Sequence, residues 1–154
     1  MKDAERRARW FREARFGMFI HWGIYSLLGR GEQVLFREHL VLSDYRDLAG
    51  RFTAGRYDPA AWARVAKAAG MKYAVLTAKH LDGFCLFDTA TTDYSAPRTG
   101  AKRDLVAEYV RAFRKAGLRV GLYMTMADFS NPAYFDGPRK AAGAFGNYVR
   151  LFHD

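Results

Sequence analysis

Gly70-Met71-Lys72-Tyr73-Ala74-Val75-Leu76-Thr77-Ala78-Lys79-His80 decides how this chain folds. The glycine stops whatever helix precedes it. The run that follows is too short for a helix, almost wholly apolar without alternation, and ends abruptly in Lys79, His80 and Asp82. That is how a strand buried on both faces of a parallel sheet reads. Two other runs share the pattern: Arg15-Phe16-Gly17-Met18-Phe19-Ile20-His21-Trp22-Gly23 upstream and Arg119-Val120-Gly121-Leu122-Tyr123-Met124-Thr125 downstream.

Helical signals fill the gaps between these strands. Ser43 is an N-cap type residue, and Tyr45, Leu48, Ala49 and Phe52 recur behind it at helical spacing. Asp58 followed by Pro59 opens another helix that Gly70 closes. A third runs from about Lys102 or Asp104 to Ala116, with Leu105, Val106, Tyr109, Val110 and Phe113 on one face and Gly117 as its stop. Residues from Pro138 to His153 also read as helical. Strands alternating with amphipathic helices predict right-handed crossovers and an α/β fold with a parallel sheet.

Two parallel architectures compete. A doubly wound sheet places phosphate-binding glycines directly after its first strand, whereas Gly29-Arg30-Gly31 lacks the third glycine of that pattern. A (β/α)8-type TIM barrel puts polar groups at the C-terminal ends of successive strands. Three strands here do so, which favours a partial barrel of about three βα units. With no linker-like tract or internal repeat, residues 1–154 are expected to form one unit.

Composition removes other function classes. The net charge of +9 is spread among acidic residues, and its densest cluster (Arg6, Arg7, Arg9, Arg12, Arg15) lies on a short amphipathic stretch with Trp10 and Phe11. A solvated helix face explains it, and no nucleic-acid module signature is present. No apolar stretch approaches the ~20 residues of a membrane span. The charged N-terminus does not read as a signal peptide, so a cytoplasmic location is expected, and the single Cys85 allows no internal disulfide.

The strand ends gather chemistry on one side. The first delivers His21 and Trp22, the second Lys79, His80 and Asp82, the third Tyr123, Thr125 and Asp128, while the loop after the first adds Glu32. Trp22, Tyr25, Phe84 and Phe129 stand among them. Hydrogen-bonding groups beside aromatic faces suit a sugar, whose hydroxyls need partners and whose C–H faces pack on rings. Asp82-Gly83 reads as a tight turn closed by its own aspartate. Cys85 reads as a buried small hydrophobe.

The runs Trp10 to Ser26 (WFREARFGMFIHWGIYS), Lys79 to Asp88 (KHLDGFCLFD) and Lys115 to Tyr123 (KAGLRVGLY) resemble the N-terminal part of the α-L-fucosidase family of glycoside hydrolases, family 29. The resemblance implies an α/β barrel and retaining hydrolysis of α-L-fucosides, with a fucosylated glycan or small fucoside as substrate. It implies sugar-hydroxyl contacts at His21, Glu32 and His80, with Tyr123 and Trp22 lining the site, and no cofactor or metal. Where the family pattern has a second histidine this chain has Leu81, and where it has a tryptophan after the glutamate the chain has Gln33. Met124 and Phe129 also depart from it.

The same resemblance places the nucleophile and the acid/base beyond Asp154, so the expected catalytic set within the chain is none. The expectation is a barrel portion that holds sugar without cleaving it and exposes an open sheet edge that invites self-association. Two alternatives stay open: a non-catalytic barrel piece that assembles with another chain, and a metal-dependent barrel hydrolase using His21, His80 and Asp128.

Overall fold

A computed structural model describes residues 2–131. Its elements are α1 (Lys2–Ala14), β1 (Gly17–Ile20), a short 3-10 turn (Ile24–Leu27), α2 (Val34–Arg37), α3 (Leu42–Arg51), α4 (Pro59–Ala68), β2 (Tyr73–Lys79), a second 3-10 turn (Ala96–Arg98), α5 (Leu105–Lys115) and β3 (Arg119–Met124). The helix expected over Pro138 to His153 lies outside the described residues. All strands are parallel, in the order β1-β2-β3, with β2 between its neighbours.

Local chemistry explains most boundaries. The Asp58 carboxylate accepts from Ala61 N at 2.9 Å and that of Asp104 from Ala107 N at 2.7 Å, so both cap the helices they precede. Gly70 and Gly117 follow α4 and α5 at φ +80° and +79°, the left-handed conformation that closes a helix most cheaply in glycine. Two expectations are corrected. The first strand is shorter than Arg15 to Gly23, because Arg15 takes φ 56° and breaks the extended backbone at its start. The cap of helix α3 lies two residues earlier than expected, at Val41 with no side-chain cap, which leaves Ser43 inside the first turn.

The two faces of the sheet differ. Ala74 and Leu76 of β2 are fully buried in the core with Leu105, Tyr109 and Phe113 of α5 and Ala63 and Ala66 of α4. Burying a side chain the size of Leu or Phe stabilises by about 1.5–3 kcal/mol. On the opposite face lie Phe19, Val75, Gly121 and Tyr123; a Cβ built on Gly121 would stand 3.0 Å from Val75 Cγ2. That small residue lets the Phe19 and Tyr123 rings meet across β2, with centroids 5.6 Å apart. At the N-terminal end α1 sets Trp10 and Phe11 against Tyr73, and Arg119 lies 4.6 Å over the Trp10 ring. One face packed on helices and the other half-open, its lower end plugged by aromatics, is the wall of an α/β barrel.

Candidate sugar-binding site

Strand β1 ends at Ile20, and the next two residues leave it in opposite directions, as adjacent side chains on an extended backbone must. His21 turns to the open face, where its ring stacks on Phe19 at 4.8 Å. Trp22 turns away. Its indole lies parallel to Tyr57 at 4.7 Å and edge-on to Trp62, beside a separate cavity of about 440 Å³ lined also by Phe52, Thr53 and Arg56. Trp22 therefore stands apart from the other expected sugar contacts.

The rest converge. Donor atoms of His21, Glu32 and His80 all lie within 4.8 Å of one another. The His80 ring meets His21 edge-on at 5.4 Å, Tyr25 at 5.8 Å and Tyr123 at 6.0 Å. His80 is only 5 % exposed and its Nδ1 has no hydrogen-bond partner among the described residues. Burial, reinforced by the neighbouring His21, lowers the His80 pKa and favours the neutral ring. A hydrogen bond from its own backbone is the main influence lowering the Glu32 pKa, aided by the two histidines, so its carboxylate is ionised at neutral pH. Gln33 donates to that carboxylate at 3.4 Å. Two imidazoles and one carboxylate make a donor set that could bind vicinal hydroxyls or a metal ion.

Thr77 fastens the loop after β1 to β2. Its hydroxyl lies within hydrogen-bonding distance of the Ile20 and Trp22 carbonyls, the Trp22 amide and the Tyr25 hydroxyl, at 3.1–3.3 Å. A threonine inside a β run signals only β propensity, so its sequence neighbourhood gives no hint of this role. Just beyond it the β2–β3 register slips between Thr77 and Lys79, a bulge that changes how the strand delivers Lys79 and His80.

A buried polar cluster stands behind His80. Lys79 Nζ pairs with Asp128 Oδ2 at 3.1 Å, both side chains almost wholly buried. Asp128 Oδ1 accepts from Ser130 N and Ser130 Oγ at 2.9 and 2.7 Å. These bonds engage the aspartate that the metal-hydrolase reading required, and Glu32 takes its place beside the two histidines. Asp82 accepts from Phe84 N at 3.1 Å, closing the expected turn, and from the Tyr45 hydroxyl of α3 at 2.8 Å. Burial pushes its pKa up to about 6. Gly83 sits at φ +78°, where a Cβ would come within 2.6 Å of Asp128 Oδ1. Cys85 is buried with its thiol pushed up to about 12, an inert packing group as expected.

The profile of the family described as Alpha-L-fucosidase matches residues 1–153. This chain belongs to the α-L-fucosidase family. Rat tissue alpha-L-fucosidase is 37% identical over an alignment 149 residues long that covers 86% of this chain and 32% of the rat protein. Among solved structures, alpha-L-fucosidase isoenzyme 1 from Paenibacillus thiaminolyticus superposes with TM-score 0.87 and 47% identity, covering 97% of this chain and 38% of its own. Alpha-L-fucosidase AlfC from Lactobacillus casei, solved in complex with alpha-L-fucose product, gives TM-score 0.75 and 35% identity over 79% of this chain and 42% of its own. The chain thus spans about a third of the length of the curated α-L-fucosidases it matches. Among the described residues no helix is long and apolar enough to cross a membrane.

Proposed function

We propose that residues 1–154 form the first part of the catalytic barrel of an α-L-fucoside hydrolase and supply its sugar-holding wall. The observation that carries this reading is the convergence of His21, Glu32 and His80 within 4.8 Å at the C-terminal ends of parallel strands. In a barrel that end is where substrate binds. The ionised Glu32 accepts hydrogen bonds from two neighbouring hydroxyls, and the neutral His80 donates from one ring nitrogen and accepts at the other. His21 adds a third polar contact. The half-exposed rings of Phe19 and Tyr123 offer apolar faces to the sugar's C–H side.

Hydrolysis with retention needs two carboxyl groups ~5–5.5 Å apart, one as nucleophile and one as acid/base. Glu32 is the one carboxylate in this group among the described residues, and its role here is to bind. The carboxyl pair that breaks the bond comes from outside the cluster. The 1–154 polypeptide therefore binds L-fucose without cleaving an aryl α-L-fucoside.

Isothermal titration with L-fucose tests the reading. Wild type binds one equivalent, and Glu32→Gln weakens binding by roughly 5- to 150-fold, the equivalent of about 1–3 kcal/mol for a lost charged hydrogen bond. Equal affinities in the two proteins, or cleavage of the aryl fucoside by the polypeptide alone, would refute it. The side of β3 that pairs with no strand among the described residues is also proposed as a self-association edge, for which sedimentation velocity at rising concentration is the check.

A further inference from the structure

We infer that the His21–Glu32–His80 cluster is also a site for a borderline divalent cation, Zn²⁺ in the first instance, and that ion and sugar compete for it. The ion site stands on geometry alone; the competition rests on the sugar reading above. Zinc sites that keep an open position take three protein ligands, commonly two histidines and a carboxylate or three histidines, with water or substrate in the fourth place. The cluster offers that set from three separate segments, with all donor atoms within 4.8 Å.

Donors bound at ~2.1 Å to one tetrahedral ion stand about 3.4 Å apart, so closure from within 4.8 Å requires them to draw in by at most about 1.4 Å. His21 is exposed and Glu32 half-buried, so both side chains can adjust at the solvent side of the cluster. His80 is the fixed corner, held against Tyr25 and Tyr123 with a buried Nδ1 that lacks a partner among the described residues. A buried imidazole nitrogen without a hydrogen bond is a cost that a ligand removes. The lone pairs that would take an ion are those a sugar's hydroxyls would engage, so one occupant shuts out the other.

The experiment titrates the chain with ZnCl₂ by calorimetry and with CoCl₂ by visible absorption, where cobalt bound by histidine nitrogens gives ligand-field bands. The chain has four histidines, so a His39→Asn, His153→Asn protein retains only the imidazoles of the cluster. That protein keeps one equivalent of Zn²⁺ at wild-type affinity. Glu32→Gln and His21→Asn each weaken it more than about tenfold, since each removes one of three protein donors. Both replaced side chains are accessible, so the variants stay folded, as a melting curve verifies. Zinc binding that is absent, or that survives both substitutions unchanged, overturns the proposal. Saturating L-fucose lowers the apparent zinc affinity; full zinc affinity in the presence of bound fucose overturns the competition. A chain that binds zinc at the cluster and no fucose would defeat the sugar reading and support this one.

Discussion

Replacing Lys79 by methionine removes a cation that faces two buried carboxyl groups, Asp128 and Asp82. Lys79 Nζ stands 3.1 Å from Asp128 Oδ2, with side-chain exposures of 0% and 7%. At an effective dielectric of ~20 the attraction across that distance is roughly 5 kcal/mol, much of it offset by the cost of burying both charges. Deleting one partner leaves the other charge buried and uncompensated, and such losses run to about 3–5 kcal/mol. For a chain of this size each kcal/mol lowers Tm by about 2–4 °C, so Lys79→Met should melt roughly 6–20 °C below wild type.

The second carboxyl group orders the variants. In Asp128→Asn the remaining Lys79 charge still has Asp82, whose ionisation Lys79 favours. That variant should therefore lose less than Lys79→Met. The double variant Lys79→Met, Asp128→Asn buries neither charge and should recover to within about 2 kcal/mol of wild type. Urea unfolding of the four proteins measures these differences. A loss below about 1 kcal/mol for Lys79→Met, or a double variant as unstable as the sum of the singles, would refute the reasoning.

Gly83→Ala meets both a left-handed backbone and the Asp128–Ser130 turn, and should lose about 1–3 kcal/mol with the sugar site loosened beside it; an unchanged melting curve would contradict this. Asp82 holds its proton in the folded chain up to about pH 6 against 3.8 when unfolded, so the folded state binds more protons between those values and this residue's contribution falls as pH rises through them. Asp82→Asn removes that slope, and its stability relative to wild type should gain by up to about 3 kcal/mol from pH 4 to 7; a constant difference in paired melts would rule it out. Asp104→Ala takes away the cap on Ala107 N and the bond to Asp88 N, with an expected loss of about 0.5–2 kcal/mol by chemical denaturation.

The fold was legible in the sequence wherever the decisive chemistry is local. As caps and stops Asp58, Gly70, Asp104 and Gly117 each work within four residues of themselves, and the helices they bound lie where their spacing indicates. The start of α3 has no such signal, because Val41 caps by backbone alone, with no side chain to advertise it. The expected group of His21, Glu32 and His80 came from motif resemblance, since their meeting depends on strand pairing between segments up to 59 residues apart. The tie of Tyr45 to Asp82, across 37 residues, has no local signature at all. Trp22 shows what the residue list alone leaves out: alternation beyond β1 separates it from His21, and the aromatic stack with Tyr57 and Trp62 holds its ring apart from the other three.

Histidine-selective ¹⁵N spectra recorded while L-fucose is added probe the sugar-holding wall most directly. Ring-nitrogen signals of His21 and His80 should shift together, saturate with one sugar per chain, and respond far less in Glu32→Gln, while the exposed His39, two residues past the end of α2, stays still. Fucose binding that leaves the His21 and His80 rings unmoved, or that is unaltered by Glu32→Gln, would contradict the account.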